Sequence, residues 1–138
     1  MTSTDNQTAT QEGANPESSQ ELRRIQVAVD AALDRKAEHL TVLDLAAISD
    51  FTDHFLICNG TNERQVQAIA DHVTRQLRDQ GLKPLHVEGL QRGRWILLDY
   101  GGEMVIHIFL GETREFYSLE RLWSDAPDVT EQFCSQEA

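Results

Sequence analysis

The residues of this chain best suited to chemistry are five histidines, and their spacing argues against a metal site. They are His39, His54, His72, His86 and His107. Structural zinc needs Cys or His ligands two to five residues apart, and catalytic zinc needs three convergent ligands. No histidine has that spacing to another histidine or to a cysteine pair. We therefore expect no metal and no cofactor, and we interpret His107, inside an apolar run, as a hydrogen-bonded strand residue.

Asp99 is the best candidate for a magnesium-binding acid, because it ends an apolar strand-like run. In metal-dependent nucleotidyl transfer, two acids two positions apart on a strand project from one face and hold the ion. The position two before Asp99 is Leu97, so the pair is incomplete. An enzyme of this class would have to combine Asp99 with Asp44 or Asp53. The missing pair favours a protein that is not an enzyme.

Two other kinds of catalytic or ligand site lack essential residues. Asn59-Gly60-Thr61 predicts a strand-to-helix turn, where α/β proteins bind phosphate. A phosphate loop needs more glycines and a lysine, and a dinucleotide site needs three spaced glycines. We interpret the tripeptide as a turn. Ser49 and Ser118 lie at the ends of predicted elements, where serines cap, and no nucleophile elbow is present.

The strongest functional signal is aromatic. Both tryptophans and both tyrosines lie between Gly89 and Trp123. Strand alternation places Trp95, Leu97 and Asp99 on one face and the residues between them on the other. If the Ile96 face covers the core, Trp95 is partly exposed beside Arg94 and Asp99, as in a binding hot spot. If helices cover both faces, Trp95 is a core residue. The periodicity leaves both alternatives open.

Composition limits the class of partner. The chain has 138 residues, enough for one domain, and a net charge of −11. Residues 1–20 and 125–138 contain no lysine or arginine, and we expect a disordered N-terminal tail and a frayed acidic C-terminal tail. The bases between them are scattered, unlike the basic patch that grips nucleic acid. The charge suits a basic protein partner, although it also serves solubility alone.

The cysteines and the apolar runs give no sign of export or of a membrane span. Cys58 lies in an apolar run and is expected in the core, and Cys134 lies in the acidic tail. No run is long enough to cross a bilayer, and no targeting segment is visible at the N-terminus. The predicted location is the cytoplasm.

Periodicity predicts an α/β or α+β domain with a mixed five-stranded sheet and three helices. A capping box at Ser18 and Glu21 opens a helix over about 19–38, Thr61 caps a second that ends before Gly81, and a third covers 113–123. The strands are predicted at 40–45, 53–58 and 85–88, followed by a hairpin of two strands starting at Trp95 and Met104 around Gly101-Gly102. The second helix and its flanking strands predict a right-handed βαβ unit.

Several separated segments, in this order, resemble the ribosomal silencing factor family, RsfS, also called Iojap. They are residues 49–55, 59–61 with 69–71, 81–89, the strand Trp95-Ile-Leu-Leu-Asp99-Tyr100-Gly101, and residues 116–123. The resemblance covers about residues 21–124 and leaves both acidic tails outside. It implies a fold similar to nucleotidyltransferases but without their catalytic acids, in agreement with the missing pair at Leu97 and Asp99.

The resemblance also implies a function without catalysis. Members of the family bind the large ribosomal subunit through its protein number fourteen, block joining of the small subunit and lower translation when nutrients are short. They are linked to large-subunit maturation, and some form homodimers. The family's contact surface includes a strand tryptophan that corresponds to Trp95, with its neighbourhood from Glu88 to Asp99. Strand geometry extends the predicted partner-binding set to Arg94, Leu97 and Asp99.

Two alternatives remain at this point. One is a divergent nucleotidyltransferase-like enzyme that uses the acids named above. The other is a ribosome assembly factor that binds RNA, without sequence specificity, through Arg92, Arg94 and Trp95.

Overall fold

The computed structural model describes residues 16–111 and 125–134, which contain two α-helices and one mixed sheet. The helices are α1 (Pro16–Asp34) and α2 (Glu63–Asp79). The strands are β1 (Glu38–Asp44), β2 (His54–Gly60), β3 (His86–Glu88), β4 (Trp95–Asp99) and β5 (Val105–Leu110), and a 3-10 turn follows at Thr130–Gln132. The third helix that we predicted, at 113–123, lies outside the described residues.

The sheet has the strand order β1-β2-β5-β4-β3. The β2–β5 pair is parallel and the other pairs are antiparallel, which confirms the predicted mixed five-stranded sheet. The predicted βαβ unit, β2–α2–β3, joins two strands that are not neighbours in the sheet. Strands β2 and β3 run in the same direction, but β5 and β4 lie between them. Strand β5 of the hairpin that follows in sequence lies beside β2.

Helix α2 follows its predicted stripe closely. Its five stripe residues, Val66, Ile69, Ala70, Val73 and Leu77, are completely buried in the main core. The predicted cap at Thr61 is wrong, because Asn62 accepts a bond from the backbone N–H of Gln65 at 2.8 Å. Asn59 and Gly60 belong to β2, so the strand ends two residues later than predicted. Gly81 has φ +81° just after the helix, where a left-handed residue commonly ends one.

Helix α1 differs from its prediction at both ends. It begins at Pro16, so Ser18 and Glu21 lie inside the helix rather than at its start, and part of the predicted tail is helical. It ends at Asp34, because Lys36 has φ +64°, which a helix cannot accommodate. Leu22 and Leu33, two residues of the predicted stripe, are exposed.

The β4–β5 hairpin is confirmed, but its turn is longer than a two-residue loop. The backbone N–H of Tyr100 donates to the carbonyl of Met104 at 3.0 Å. Gly101 has φ +75°, whereas Gly102 has no positive φ, so only one of the two glycines adopts the left-handed conformation. The longer connection distributes the change of direction over more residues.

Residues 125–134 pack on the domain, contrary to the predicted frayed tail. The N–H of Asp44 donates to Pro127, and the N–H of Val129 donates to Val42, each at 2.9 Å. Phe133 is only 9% exposed and joins the main core. Burial of this one aromatic ring and pairing along β1 offset the cost of ordering the segment.

Neither helix in residues 16–111 and 125–134 has both the length and the apolarity required to cross a membrane.

Candidate functional site

The two faces of β4 have different environments. Ile96 and Leu98 are buried in the main core between the sheet and the helices, and Tyr100 follows them there. Trp95, Leu97 and Asp99 alternate with them and are only partly buried on the opposite face. Of the two alternatives that the sequence left open, the structure therefore shows the one in which Trp95 is partly exposed.

Trp95 is held in a fixed orientation by its neighbours. Its indole Nε1–H donates to Nδ1 of His107 at 3.2 Å. Its ring stacks on Phe109, with centroids 5.1 Å apart and planes 26° from parallel. Beneath it lies a second apolar cluster, formed by Leu43, Leu45, Phe55, Ile57, Val105 and Phe109. An aromatic side chain fixed before binding loses little conformational freedom when a partner docks.

His107 is the residue that orients Trp95, and sequence reasoning assigned it only a structural hydrogen bond. It lies opposite Leu97 across the β4–β5 pair and is 6% exposed. Burial lowers the pKa of its imidazole to about 4. The ring is therefore neutral at physiological pH, with Nδ1 accepting from Trp95 and the proton on Nε2. Nε2 is buried and has no hydrogen-bond partner in the described part of the chain.

The ring of His107 should titrate with a midpoint near 4, which long-range ¹H–¹⁵N NMR can measure. Because its pKa lies below the ordinary 6.5, its contribution to stability is complete above pH 6.5 and is lost as the pH falls through 4. Protonation would also remove the acceptor of the Trp95 N–H. A midpoint above 6 would contradict the buried, neutral ring described here.

Carboxylates and a loop residue surround Trp95. Glu88 of β3 pairs with Leu97, so its side chain lies on the same face, and its carboxylate contacts Nε2 of His86 at 2.6 Å. Asp99 accepts a bond from the N–H of Gly101 at 2.8 Å and so caps the hairpin turn. We call Glu88, Trp95, Leu97 and Asp99 the Trp95 face. Arg94, the fifth predicted residue, is exposed directly before β4, but strand alternation does not place it on this face.

The loop between β3 and β4 positions the start of β4. Gly89 has φ +80°, and a Cβ there would overlap the carbonyl oxygen of Trp95. The amide of Gln67 on α2 donates to the carbonyls of Leu90 and Gln91, at 3.0 and 2.8 Å. Sequence reasoning missed both Gly89 and Gln67. The only signal for Gly89 was a glycine directly after a predicted strand, and nothing in the sequence pointed to Gln67.

The edge of the sheet beside the Trp95 face is apolar as well as charged. Leu85 is 77% exposed, and Val87 of β3 and Leu90 of the following loop are also exposed. These three side chains were absent from the predicted site. Val87 pairs with Leu98, so it lies on the opposite face of the sheet from Trp95, whose own face carries Leu97 and the carboxylates of Glu88 and Asp99. A partly buried aromatic residue among an aliphatic residue and carboxylates has the composition of a protein-binding surface.

The structure separates the acids that the enzyme alternative requires. Asp99 pairs with Val105 of β5, which pairs with Phe55 of β2, two residues after Asp53. Neighbouring strands are about 4.8 Å apart, so the backbone of Asp99 lies about 10 Å from that of β2. Asp99 is therefore on a strand that is not adjacent to β2 or β1. Among the described residues, no group of three or more His, Cys, Asp or Glu side chains could hold a metal ion.

Comparison with known proteins assigns the family. The family model described as "Ribosomal silencing factor during starvation", RsfS, matches residues 16–138. The chain belongs to the ribosomal silencing factor family. A ribosomal silencing factor from Halalkalibacterium halodurans is 45% identical over 112 residues, which cover 81% of this chain and 93% of the relative. RsfS proteins are regulators of the ribosome, so this family member is not an enzyme.

Two further relatives extend the comparison. A crystal structure of a protein from Bacillus halodurans has a TM-score of 0.70 and 41% identity, and the match covers 78% of this chain and 97% of that one. A mouse protein named for mitochondrial assembly of the ribosomal large subunit is 30% identical over 103 residues, covering 72% of this chain and 45% of its own length. The RsfS fold is thus an α+β fold with a mixed five-stranded sheet. Its similarity to nucleotidyltransferases stays a prediction.

Proposed function

We propose that this RsfS protein binds the large ribosomal subunit through its protein number fourteen and blocks joining of the small subunit when nutrients are limiting. The family description names starvation, which supports the proposal that the protein acts when nutrients are limiting. The mouse relative, whose name refers to assembly of the large subunit, supports the choice of subunit. The proposed contact surface is the Trp95 face together with Arg94.

The single observation that carries this proposal is the state of Trp95. Its indole is partly exposed, hydrogen-bonded to a buried neutral histidine and stacked on Phe109. Tryptophan and tyrosine are enriched in interface hot spots because they bury a large area at a low entropic cost. In Trp95 such a residue is already oriented on the partly exposed face of a strand, so docking requires little rearrangement.

The charges of the protein favour a basic partner. The net charge is −11, and Glu88 and Asp99 flank the aromatic residue on the proposed surface. A basic ribosomal protein would be steered towards such a surface and oriented on it. Silencing then follows from occupation of the subunit interface. A contact of about 800 Å² on each partner is enough to keep the protein bound there, where it would block the small subunit sterically.

Sedimentation of the full chain with purified large subunits tests the proposal. We expect the protein to pellet with large subunits and not with small ones, and an excess of isolated protein number fourteen to release it. Pelleting that this competitor leaves unchanged would contradict the assigned partner. Light scattering on the free protein reports whether it also self-associates, as the resemblance implies for some members.

The RNA-binding alternative keeps some support, because Arg92 and Arg94 are both exposed on the loop beside Trp95. Binding through several phosphate contacts loses about three to five decades of affinity between 50 and 200 mM salt. A protein–protein contact through the Trp95 face should lose less than about tenfold over that range. Repeating the pelleting titration across these salt concentrations distinguishes the two, and a steep loss would favour RNA as the main contact.

A further inference from the structure

A group of carboxylates that the proposed docking surface does not use lies where α1 meets the sheet. Glu21 of α1 lines a cavity of about 320 Å³ with Asp44, Asp53 and His54, which lie at the facing ends of β1 and β2. Glu103, from the turn between β4 and β5, adds a fourth carboxylate to the surroundings of Glu21. Acidic side chains from four segments of the chain are therefore gathered in one partly buried place.

The nearby positive and polar groups do not neutralise all of these acids. Arg24 forms an ion pair with Glu103 at 2.5 Å, so its positive charge is directed at Glu103. Asp44 accepts a bond from the N–H of Ala46 at 3.0 Å. Nδ1 of His54 is 3.6 Å from the Glu21 carboxylate, beyond hydrogen-bond distance. Glu21, with a side chain only 19% exposed, is left facing Asp53.

These surroundings make the ionised form of Glu21 unfavourable. Burial, together with the hydrogen bond to Asp53 and the charges of Asp53, Glu103 and Asp44, raises the pKa of Glu21 to about 8. A carboxyl group that keeps its proton near neutral pH can donate it to a neighbouring carboxylate.

We propose that Glu21 keeps its proton in the folded protein and donates it to Asp53, so that this proton fastens α1 to the start of β2. When the proton is lost, two adjacent carboxylates repel each other, and the first half of α1 is held less firmly against the sheet. The fold thus contains a pH-sensitive fastening. It is separate from the Trp95 face and does not depend on the proposed function.

The direction of the pH effect follows from the two states of the carboxyl group. Unfolded Glu21 has its ordinary pKa of 4.5, so between 4.5 and 8 the folded chain holds more of this proton than the unfolded chain. The contribution is complete below pH 4.5 and is lost as the pH rises through 8. His107 acts in the opposite direction below pH 6.5, so the window from 6.5 to 9 avoids its contribution.

Thermal unfolding of the wild type and of Glu21→Gln across pH 6.5–9 tests the inference. The amide can still donate to Asp53 but does not ionise. We expect the wild-type midpoint to fall relative to that of the variant by about 5 °C or more. Glu63→Gln, which removes an exposed acid from the first turn of α2, is the matched control and should give a curve parallel to that of the wild type. Parallel curves for the wild type and Glu21→Gln would overturn the inference.

A local measurement shows where the effect arises. Hydrogen-exchange protection factors, corrected for the intrinsic pH dependence, should fall for the α1 amides around residues 21–25 in the wild type and stay constant in Glu21→Gln. A loss of protection confined to other elements would overturn the assignment to α1. Should the variant fail to fold, carboxyl ¹³C NMR of the wild type decides: a Glu21 midpoint near 8 supports the shared proton, and one near 4.5 excludes it.

Discussion

Trp95→Ala is expected to weaken binding to the large subunit by about 30-fold to 1000-fold, equivalent to about 2–4 kcal/mol. The substitution removes the partly exposed indole, which we propose is the centre of the interface. It also removes the stack on Phe109 and the indole N–H that donates to Nδ1 of the buried His107. We therefore expect the variant to stay folded but to unfold at a lower temperature than the wild type. Pelleting titrations with purified large subunits, alongside circular dichroism, measure both effects.

Two further variants separate the interface from the fold. Trp95→Phe keeps an aromatic ring but loses the N–H, so a binding loss smaller than that of Trp95→Ala shows the contribution of ring burial. Leu33→Ala removes an exposed apolar residue from α1, away from the Trp95 face, and should leave the affinity unchanged. Wild-type affinity of a folded Trp95→Ala variant would show that the contact surface lies elsewhere.

Gly89→Ala is expected to have the largest effect on folding. A Cβ at this position would overlap the carbonyl oxygen of Trp95, and the backbone has φ +80°, which alanine adopts only with strain. Because the obstacle is backbone, it cannot move aside as a flexible side chain would. We expect a loss of at least about 3 kcal/mol in the free energy of unfolding, measured in urea. Binding should weaken too, since the start of β4 and the indole must shift.

Gly81→Ala supplies the matched control. Gly81 has nearly the same backbone angle, φ +81°, but a Cβ there meets nothing within 4 Å. This variant has the backbone strain without the overlap and should lose about 1 kcal/mol with no change in binding. Equal losses for the two variants would show that the close approach of Gly89 to Trp95 is unimportant.

The sequence was most informative where short-range periodicity decides the structure. The α2 stripe and the alternation along β4 depend on neighbours within a few residues, and both were predicted correctly. The strand order was beyond the same reasoning, because the position of β5 between β2 and β4 depends on pairing between segments far apart in the chain. The family resemblance, by contrast, used separated motifs together and was confirmed by the family match.

The wrong predictions for residues 125–134 and for Glu21 share a physical cause, since both depend on contacts between segments far apart in the sequence. Residues 125–134 are acidic and polar, yet Phe133 fills a place in the core and the backbone pairs with β1. The one aromatic residue in an otherwise polar tail was the available signal. Glu21 was interpreted as a capping residue because its charged neighbours, Asp53 and Glu103, are distant in sequence. Contacts of this kind become visible only when the fold brings the segments together.

Joining of ribosomal subunits in the presence of the protein tests the central claim most directly. Purified large and small subunits are mixed under associating conditions with saturating protein and separated on a density gradient, with Trp95→Ala as the control. We predict that the wild-type protein shifts the profile from joined ribosomes to free subunits, with the protein bound to the large one, and that the variant does so much less. An unchanged profile at saturation by the wild-type protein would contradict the account.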